Sequence, residues 1–473
     1  MKTRILMVLL LVAATQARPQ VAVDFQKSFT GNTMRVDYFH TGTADEEHFS
    51  VDRILNDGAW AGSRTVLADA LNRGLYFYQV TDAATGALLY SRGFASIFGE
   101  WQSIAEAKTN WGTFHESVRF PWPQQSVVLT ISKRNEANKF VPLWNTTIDP
   151  SARNVNPAAL QSELTTQTLV ENGDPSTHVD LVILGDGYSA GEMEKFNGDA
   201  RRLIQALFDV EPYQSRKADF NVRLVETPAV ASGVNKPHPG TFRRTPLSVS
   251  YSAFDSERYA LATDNRAIRD AAASVPYDAM FILINEQTYG GGGIFNLYST
   301  VAVDNKFSDY IFVHEFGHSF AGLADEYYTA DVSYQIPEIT VEPWEPNVTA
   351  LLDPSGLKWR ELVEPGTPIP TPWDKETFDA FSYDIQKERR ELRAAKVPEA
   401  RVEALFARER QEMLKMIDGM EYKNTTGAFE GANYMQYGMY RSAIDCIMFT
   451  RDKQEFCPAC RRAISQVIDQ YTK

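Results

Sequence analysis

The sequence predicts two domains: an antiparallel β-sandwich, followed by an α/β domain built on a mixed, twisted sheet with helices. Three observations support this. The chain has 473 residues, more than one hydrophobic core usually serves. Short runs rich in β-branched and aromatic residues fill its first third. Later, apolar runs typical of buried strands alternate with helical spacing, which indicates a sheet covered by helices.

Residues 1–17 are predicted to be a secretory signal peptide and not part of the fold. Lys2 and Arg4 precede the apolar run Ile5 to Ala14, and the small residues of Thr15-Gln16-Ala17 follow. This run is too short to span a bilayer, and no later segment has the roughly twenty apolar residues that spanning requires. We therefore expect an exported protein, secreted or periplasmic, without a membrane span.

Charge and cysteine content narrow the class of partner. The formal net charge is −14, and removal of Lys2 and Arg4 takes it to −16, which disfavours nucleic acid as a partner. The three cysteines are Cys446, Cys457 and Cys460. One disulfide with one thiol left over is the expected arrangement. A cysteine-ligated zinc site is less favoured, because no histidine follows these cysteines to supply a fourth ligand.

Residues 18–150 are predicted to form the β-sandwich. Turn sequences separate the predicted strands, and no titratable cluster with ligand spacing occurs here, so packing or recognition is the expected role. The predicted strands include Val21–Phe25, Met34–Phe39, Leu75–Val80 and Val127–Ser132. Asp149 to Pro157 is interpreted as a linker, because it is polar and contains two prolines.

Residues 151–473 are predicted to form the second domain, with β-α-β-α-β-β order. Its predicted elements are strand 179–184, helix 189–208, strand 222–226, helix 265–273, strand 279–285 and the β-rich segment 295–303. Residues 330–430 are interpreted as an insertion whose first half is proline-rich. The charged second half, residues 373–416, predicts a helical hairpin interrupted at Pro398, whose charges indicate a solvated face. The alternative is that this region forms a wall or lid of the cleft.

A metal-binding pattern lies in the predicted helix Ser308–Leu323, which Ser308 is expected to cap. His314 and His318 are four residues apart, so both imidazoles lie on one helical face and can reach one Zn²⁺. Zn²⁺ lowers the pKa of a water molecule and polarises a carbonyl, and Glu315 is placed to act as the general base. The alternative is a pair of histidines that serve only packing or the surface.

The third ligand is predicted to be a carboxylate, because no histidine follows His318 in the sequence. Gly322, near the helix end, can take the positive φ of a cap and turn the chain back toward the metal. Asp325 is the favoured ligand and Glu326 its competitor. Asp325 could instead cap or form a salt bridge, with a more distant glutamate as ligand.

Residues 314–327, His-Glu-Phe-Gly-His-Ser-Phe-Ala-Gly-Leu-Ala-Asp-Glu-Tyr, resemble the signature of the IgA-peptidase family of zinc metallopeptidases. Residues 179–188 resemble the start of that family's catalytic domain, and residues 429–460 its carboxyl end. The likeness extends to the amino-terminal β domain of bacterial members. Because the family resembles metzincins, it implies a metzincin-like zincin fold. The carboxylate comes one residue later than in the common metzincin spacing, at Asp325 and not at position 324.

The resemblance implies further roles. Met448 would be the Met-turn residue, an apolar floor beneath the zinc, although an ordinary core methionine would pack in nearly the same way. Phe295 to Val303, with the preceding Gly290–Gly293 run, resembles the edge strand to which an extended substrate adds. Gly292 and Gly293 would contact substrate. Tyr440 and Arg441 are candidates, from position only, for stabilising the oxyanion.

The sequence therefore predicts an exported zinc endopeptidase with one catalytic Zn²⁺ and a protein or peptide substrate. His314, His318 and Asp325 would hold the metal, and Glu315 would be the general base. One alternative is an exported binding or surface protein whose zinc site is not catalytic. Another is a zinc amidase that acts on a non-peptide substrate. The sequence does not define the oligomeric state.

Overall fold

The structure is a computed structural model that describes residues 23–329, 340–453 and 455–473. The predicted signal peptide lies outside these residues, as does the segment 330–339 of the predicted insertion. Within the described ranges, none of the helices combines the length and the apolar character needed to cross a membrane.

Two four-stranded sheets form the amino-terminal part of the chain. Its elements are α1 (Phe25–Ser28), β1 (Phe29–Gly42), β2 (Glu47–Ala59), β3 (Tyr76–Asp82), β4 (Leu88–Phe94), α2 (Ile97–Trp101), β5 (Gly112–Pro123), β6 (Val127–Arg134), β7 (Phe140–Ile148) and β8 (Val155–Ala159). One sheet has the order β5-β1-β2-β8 and the other β4-β3-β6-β7. Tyr76 and Tyr78 of β3 pack in one core with Met34 and Val36 of β1. The sheets therefore lie face to face.

Two sequence predictions in this part are wrong. Of the predicted strand Val21–Phe25, residues 21 and 22 lie outside the described residues, and Phe25 begins a short helix and does not belong to a strand. The predicted linker contains strand β8, which pairs in parallel with β2, Val155 opposite Ile54. Four of the five β8 residues are exposed, so this edge strand lacks the apolar pattern by which strands are recognised. The amino-terminal sheet therefore extends to Ala159.

A six-stranded mixed sheet organises the second part of the chain. Its elements, with the helices and short strands between them, are β9 (Thr166–Val170), β10 (Val179–Asp186), α3 (Met193–Phe208), β11 (Phe220–Val225), β12 (Val249–Ser250), β13 (Leu261–Ala262), α4 (Asn265–Ala272), β14 (Ala279–Ile284), β15 (Gly291–Ile294), β16 (Tyr298–Ala302) and α5 (Ser308–Ala321). The strand order is β15-β16-β14-β10-β11-β9, in which the four central strands are parallel and both edge strands are antiparallel.

Helices cover both faces of this sheet, so all eight residues of β10 are buried. Leu181 and Ile183 contribute to a core that also contains residues of α3 and α5. Val182 and Leu184 point to the other face and share a core with α4. Helix α5 therefore lies on the sheet beside its β15 edge, where it packs against β15 and β16.

The remaining elements are β17 (Val348–Thr349), α6 (Lys375–Ala394), α7 (Glu399–Asp418), β18 (Phe429–Ala432), β19 (Met435–Arg441) and α8 (Pro458–Thr472). Helices α6 and α7 form the hairpin that the charged segment predicted, with the interruption at Pro398. Strands β17, β19 and β18 form a small sheet. This sheet leads into the segment that carries Met448.

The amino-terminal part is joined to the second part by buried polar contacts. Arg73 donates from Nη1 to the carbonyl oxygens of Ala321, at 2.9 Å, and Ala463, at 3.0 Å. Because Ala321 is the last residue of α5, this arginine occupies a carbonyl that the helix end leaves without an intrahelical partner. The backbone N–H of Ala95 also donates to Phe295, which follows β15. Both contacts place the amino-terminal part next to the predicted site.

Candidate active site

Helix α5 presents His314 and His318 on one face. Their Nε2 atoms are 3.1 Å apart, as the i, i+4 spacing requires of two imidazoles that converge on one point. The helix ends at Ala321, because Gly322 has a φ of 63° and its N–H returns to the last turn. Ser308 lies inside the first turn and makes no cap, so that prediction is wrong.

The turn at Gly322 brings Asp325 back to the two histidines. Asp325 Oδ1 lies 3.1 Å from His314 Nε2 and 3.3 Å from His318 Nε2. Two ligands of a tetrahedral zinc ion at its usual Zn–N and Zn–O distances are about 3.4 Å apart. Oδ1 is buried and has no hydrogen-bond partner, so its lone pairs are available to a metal ion. These three atoms fit one zinc ion.

Backbone carbonyls fix the tautomers of both histidines. His314 Nδ1 donates to the Ile447 carbonyl at 3.0 Å, and His318 Nδ1 donates to the Leu323 carbonyl at 2.6 Å. When each ring is neutral, with its proton on Nδ1, the lone pair is on Nε2. This is the outer-shell arrangement that orients histidine ligands toward a metal.

The electrostatics of the three groups favour a positive charge between them. Burial opposes the charged form of His318, but the neighbouring Asp325 carboxylate outweighs burial and raises the pKa of His318 to about 9. Burial likewise opposes the charged form of Asp325, yet the two imidazoles hold its pKa well below the usual range. The cluster therefore retains a carboxylate that attracts a cation.

Glu315 projects into the same cleft as the three candidate ligands. Burial raises the pKa of its carboxyl above the ordinary value, and the adjacent histidines oppose that rise. A carboxyl group whose pKa is shifted toward neutrality is suited to take up and return a proton. Glu315 therefore lies in the cleft beside the candidate ligands, where it can exchange a proton with a molecule bound there.

Strand β15 forms the sheet edge beside α5. A Cβ atom on Gly293 would lie 2.4 Å from the Glu315 carbonyl oxygen, and one on Gly291 would lie 2.9 Å from Ile311 Cγ2. The glycine run therefore allows close approach of the strand to the active-site helix. The predicted edge segment 295–303 is wrong in detail: residues 295–297 form a turn, and β16 lies inside the sheet.

A loop covers part of this edge. Gly291 N–H donates to the Arg258 carbonyl at 3.3 Å, and Gly291 O accepts from Ala260 at 3.4 Å. Gly292 and Gly293 also line the cleft. Gly293 lies two residues after Gly291 along β15, so its backbone N–H and C=O point outward from the same edge of the sheet. They are the next backbone groups on this edge after those that the loop covers.

Met448 is fully buried behind α5. A Cβ on Gly317 would lie 3.2 Å from Met448 Sδ, so the thioether packs against the helix at the residue before His318. Met448 O also accepts from Glu326 N at 2.8 Å. The methionine therefore supports both the helix and the segment that carries Asp325, as a Met-turn residue would.

Tyr440 and Arg441 do not line the cleft, which corrects their assignment as oxyanion candidates. Arg441 is fully buried and donates to the carbonyl oxygens of Gly431 and Ile444. Tyr440 pairs with Thr349 in the small sheet. Both residues lie in β19, whose strand register turns their backbone groups toward neighbouring strands.

A tyrosine that sequence reasoning missed contacts the candidate ligand set. Tyr434 donates a short hydrogen bond to Asp325 Oδ2, whereas Oδ1 is the oxygen that pairs with the histidines. It lies in the two-residue turn between β18 and β19, where Asn433 and Tyr434 have φ values of 50° and 62°. Such turns usually carry glycine, so no sequence signal marked this one.

The cleft has a volume of about 470 Å³, and three regions outside the active-site helix contribute to its walls. Ser96 and Glu100 come from the amino-terminal part, and Phe378 and Met413 from the helical hairpin. Tyr259, on the loop beside β15, donates a short hydrogen bond to Glu100 and so closes one side. The insertion therefore forms a wall of the cleft, which was one of its expected roles, and the β-sandwich forms another, which no motif there indicated.

Glu326, the competitor for the third ligand, points elsewhere. Its Oε1 lies 3.3 Å from Cys460 Sγ and 3.6 Å from Cys457 Sγ, in a fully buried position behind the cleft. The three cysteines are unbridged, so the expected disulfide is not formed. Asp325 alone of the two carboxylates therefore reaches the histidines.

Two family models match the chain. The model described as IgA Peptidase M64 matches residues 167–468, and the model described as Peptidase M64 N-terminus matches residues 24–145. The first match alone spans more than half of the chain. No curated protein matches the sequence significantly.

Proposed function

Since the chain belongs to the IgA peptidase M64 family, a family of metallopeptidases, we propose that it is a zinc-dependent endopeptidase of the metzincin-like type. The observation that carries the proposal is the convergence of His314 Nε2, His318 Nε2 and Asp325 Oδ1 within 3.1 to 3.3 Å of one another. Three protein ligands leave the fourth position of zinc open, as catalytic zinc sites do.

Zinc held by these donors supplies a Lewis acid, which lowers the pKa of water and polarises the carbonyl of the scissile bond. Glu315 accepts a proton from the attacking water as its oxygen bonds to the carbonyl carbon. Glu315 then returns that proton to the amine as the carbon–nitrogen bond breaks. Its raised pKa helps the carboxyl to act in both directions.

The substrate is proposed to lie extended along β15, with backbone hydrogen bonds to Gly293. The glycine positions keep the strand close to Glu315, so a chain paired there passes the candidate ligands. Arg258 to Ala260 already pair with Gly291, which limits how far substrate pairing extends in that direction. Specificity then depends on walls from the β-sandwich and the hairpin, and the family name does not determine the substrate.

Tyr434 is proposed to be a positioning residue. Its hydrogen bond to Asp325 Oδ2 directs Oδ1 toward the histidines. Gly292 and Gly293 remain candidate substrate contacts. Export by a signal peptide at residues 1–17 is part of the same proposal, because the basic and apolar segments there have the composition of such signals.

The deciding experiment compares zinc-loaded wild-type protein with Glu315→Gln on a diverse peptide library. We expect Glu315→Gln to retain zinc and to lose about 10²–10⁴-fold in kcat/KM. Glu194→Gln is the matched control, because this exposed glutamate lies on α3 away from the cleft. Equal cleavage by wild type and Glu315→Gln would overturn the proposed base.

The same experiment distinguishes the rival functions. If zinc is bound and neither protein cleaves any peptide, the endopeptidase proposal fails. A non-peptide amide substrate would then be tested with the same pair of variants. Activity that depends on Glu315 would indicate an amidase, and its absence would indicate a binding protein.

A further inference from the structure

A second cluster of metal-ligating side chains lies behind the cleft. It consists of Glu326 and the three cysteines Cys446, Cys457 and Cys460, each of which is at most 4% exposed. One ligand atom from each lies within 4.8 Å of all the others. None of these four groups takes part in the proposed peptide hydrolysis. The cluster therefore requires its own explanation.

Three of the six distances between the ligand atoms match the edges of a zinc tetrahedron, and all six are within 4.8 Å. Two thiolates at the usual Zn–S distance are about 3.8 Å apart, and a thiolate and a carboxylate oxygen about 3.6 Å apart. Cys446 Sγ and Cys460 Sγ are 3.9 Å apart, and the two sulfur–Oε1 distances are 3.6 and 3.3 Å. A disulfide needs about 2.05 Å between the two sulfur atoms. These atoms are therefore spaced to bind a common metal ion and not to form a disulfide bond.

We propose that Cys446, Cys457, Cys460 and Glu326 bind a second zinc ion, which has a structural role. Four protein ligands in a closed, buried position are typical of structural zinc sites. Cys457 and Cys460 have the Cys-x-x-Cys spacing that such sites use. The missing fourth ligand, which counted against a cysteine-ligated zinc site in the sequence, is supplied by a glutamate more than 100 residues upstream.

The surroundings of the cluster orient the ligands through hydrogen bonds. Ser442 Oγ donates to Cys457 Sγ at 3.0 Å, and Cys457 N–H donates to Cys446 Sγ at 3.3 Å. Asn347 Nδ2 donates to Glu326 Oε1 at 3.1 Å. These are the outer-shell hydrogen bonds that metal ligands need. Glu326 Oε2 is buried and makes no hydrogen bond, and such an orphaned carboxylate oxygen is costly unless a cation is near.

The position of the cluster suggests what the ion stabilises. Cys446 precedes Met448 by two residues, and Glu326 directly follows Asp325. Cys457 and Cys460 lie at the start of α8. One ion there would hold the Met448 segment, the Asp325 segment and α8 together. It would thus fix the candidate catalytic ligand from behind, without contact with substrate.

The first measurement is the absorption spectrum of the full-length protein after replacement of zinc by Co²⁺. Only a site with cysteine ligands gives an intense near-ultraviolet thiolate-to-cobalt charge-transfer band, because the candidate catalytic ligands include no sulfur. We expect this band in the wild-type protein and in His314→Ala. A cobalt-loaded protein without the band would overturn the proposal. The charge-transfer band does not depend on peptidase activity. It therefore tests the second zinc site separately from the proposed function.

The second measurement is the zinc content of the wild-type protein and of single-residue variants. Elemental analysis is expected to give two zinc ions per wild-type chain. Asp325→Asn is expected to retain only the ion at the cysteines, and Cys457→Ser only the ion at the histidines. If Cys457→Ser fails to fold, Glu326→Gln serves as the second variant. Two ions in each folded cysteine-cluster variant would overturn the assignment.

A thiol count tests the competing disulfide. Alkylation of the denatured, chelator-treated protein followed by mass spectrometry is expected to label all three cysteines. The native zinc-loaded protein is expected to resist alkylation. A Cys446–Cys460 disulfide in the purified protein, with one labelled cysteine, would contradict the second zinc site.

Discussion

Two adjacent carboxylates, Asp325 and Glu326, belong to two different clusters. Asp325 faces the histidine cluster, where the side chain of His318 is 16% exposed and the cleft gives access. Glu326 faces the cysteine cluster, where it is fully buried together with Cys446 and Cys460. The first cluster offers three ligands and is open to the cleft, whereas the second offers four buried ligands and has no opening to the cleft.

We attribute the different roles proposed for the two clusters to ligand number and access, and not to residue type alone. An open coordination position leaves room for water and a carbonyl oxygen. A closed set contributes only to folding free energy. Neighbouring side chains of a non-helical segment point in opposite directions, so one short stretch can supply a ligand to each. The two clusters therefore share the segment 325–326.

Brief exposure to a chelator should separate the clusters most strongly. We expect complete loss of peptide hydrolysis while one zinc ion per chain remains, because the histidine cluster is open and the cysteine cluster is enclosed. Zinc content and hydrolysis measured on the same samples test this. Zinc added back should restore activity without refolding. Simultaneous release of both ions would remove the distinction between the clusters.

Exchange of one carboxylate at a time should sharpen the comparison. Asp325→Asn should lower kcat/KM by more than about 100-fold, since even outer-shell partners of a ligand are worth about 10–100-fold. Relative to the wild-type protein, the thermal stability of Asp325→Asn should change less than the thermal stability of Glu326→Gln. Glu326→Gln should lower the free energy of unfolding by on the order of 4 kcal/mol through loss of the structural ion. Calorimetry and kinetics on both variants measure these effects, and the reverse pattern would refute our assignment.

Tyr434→Phe tests the positioning of Asp325. Without the hydroxyl, Oδ2 loses its hydrogen bond, and we expect a fall in zinc affinity or kcat/KM of about 10–100-fold. Zinc affinity, measured by competition with a chelating dye, gives a readout that substrate binding does not move. Tyr437→Phe is the matched control, because Tyr437 is 64% exposed and in the same hairpin. An unchanged zinc affinity and kcat/KM would assign Tyr434 to packing only.

Gly293→Ala should have the smallest effect of the four. The added Cβ would lie 2.4 Å from the Glu315 carbonyl oxygen, so the strand must move away from α5. We expect a cost of about 1–3 kcal/mol in unfolding free energy and a lower kcat/KM. Gly198→Ala is the control, because a Cβ there meets nothing within 4 Å and should stabilise α3 by about 0.5–1 kcal/mol. Full activity in Gly293→Ala would argue against substrate pairing at β15.

Local patterns in the sequence predicted much of the fold. The helical spacing near residue 200 corresponds to α3, and the apolar run at residues 179–184 to β10. The edge strand β8 escaped prediction because its side chains are exposed and carry no apolar period. The segment 295–303 was misplaced because alternation marks a strand but not its neighbour in the sheet.

The sequence by itself determined the histidine pair, because i, i+4 spacing on a helix places two imidazoles together whatever the rest of the chain does. It also favoured a carboxylate as third ligand, because no histidine follows His318, and it favoured Asp325 through the turn expected at Gly322. Only the tertiary structure decided between Asp325 and Glu326 and brought Glu326 to cysteines 120 to 134 residues away. The physical reason is that local geometry follows from backbone periodicity, whereas such long-range neighbours depend on how the sheet, helices and insertion pack.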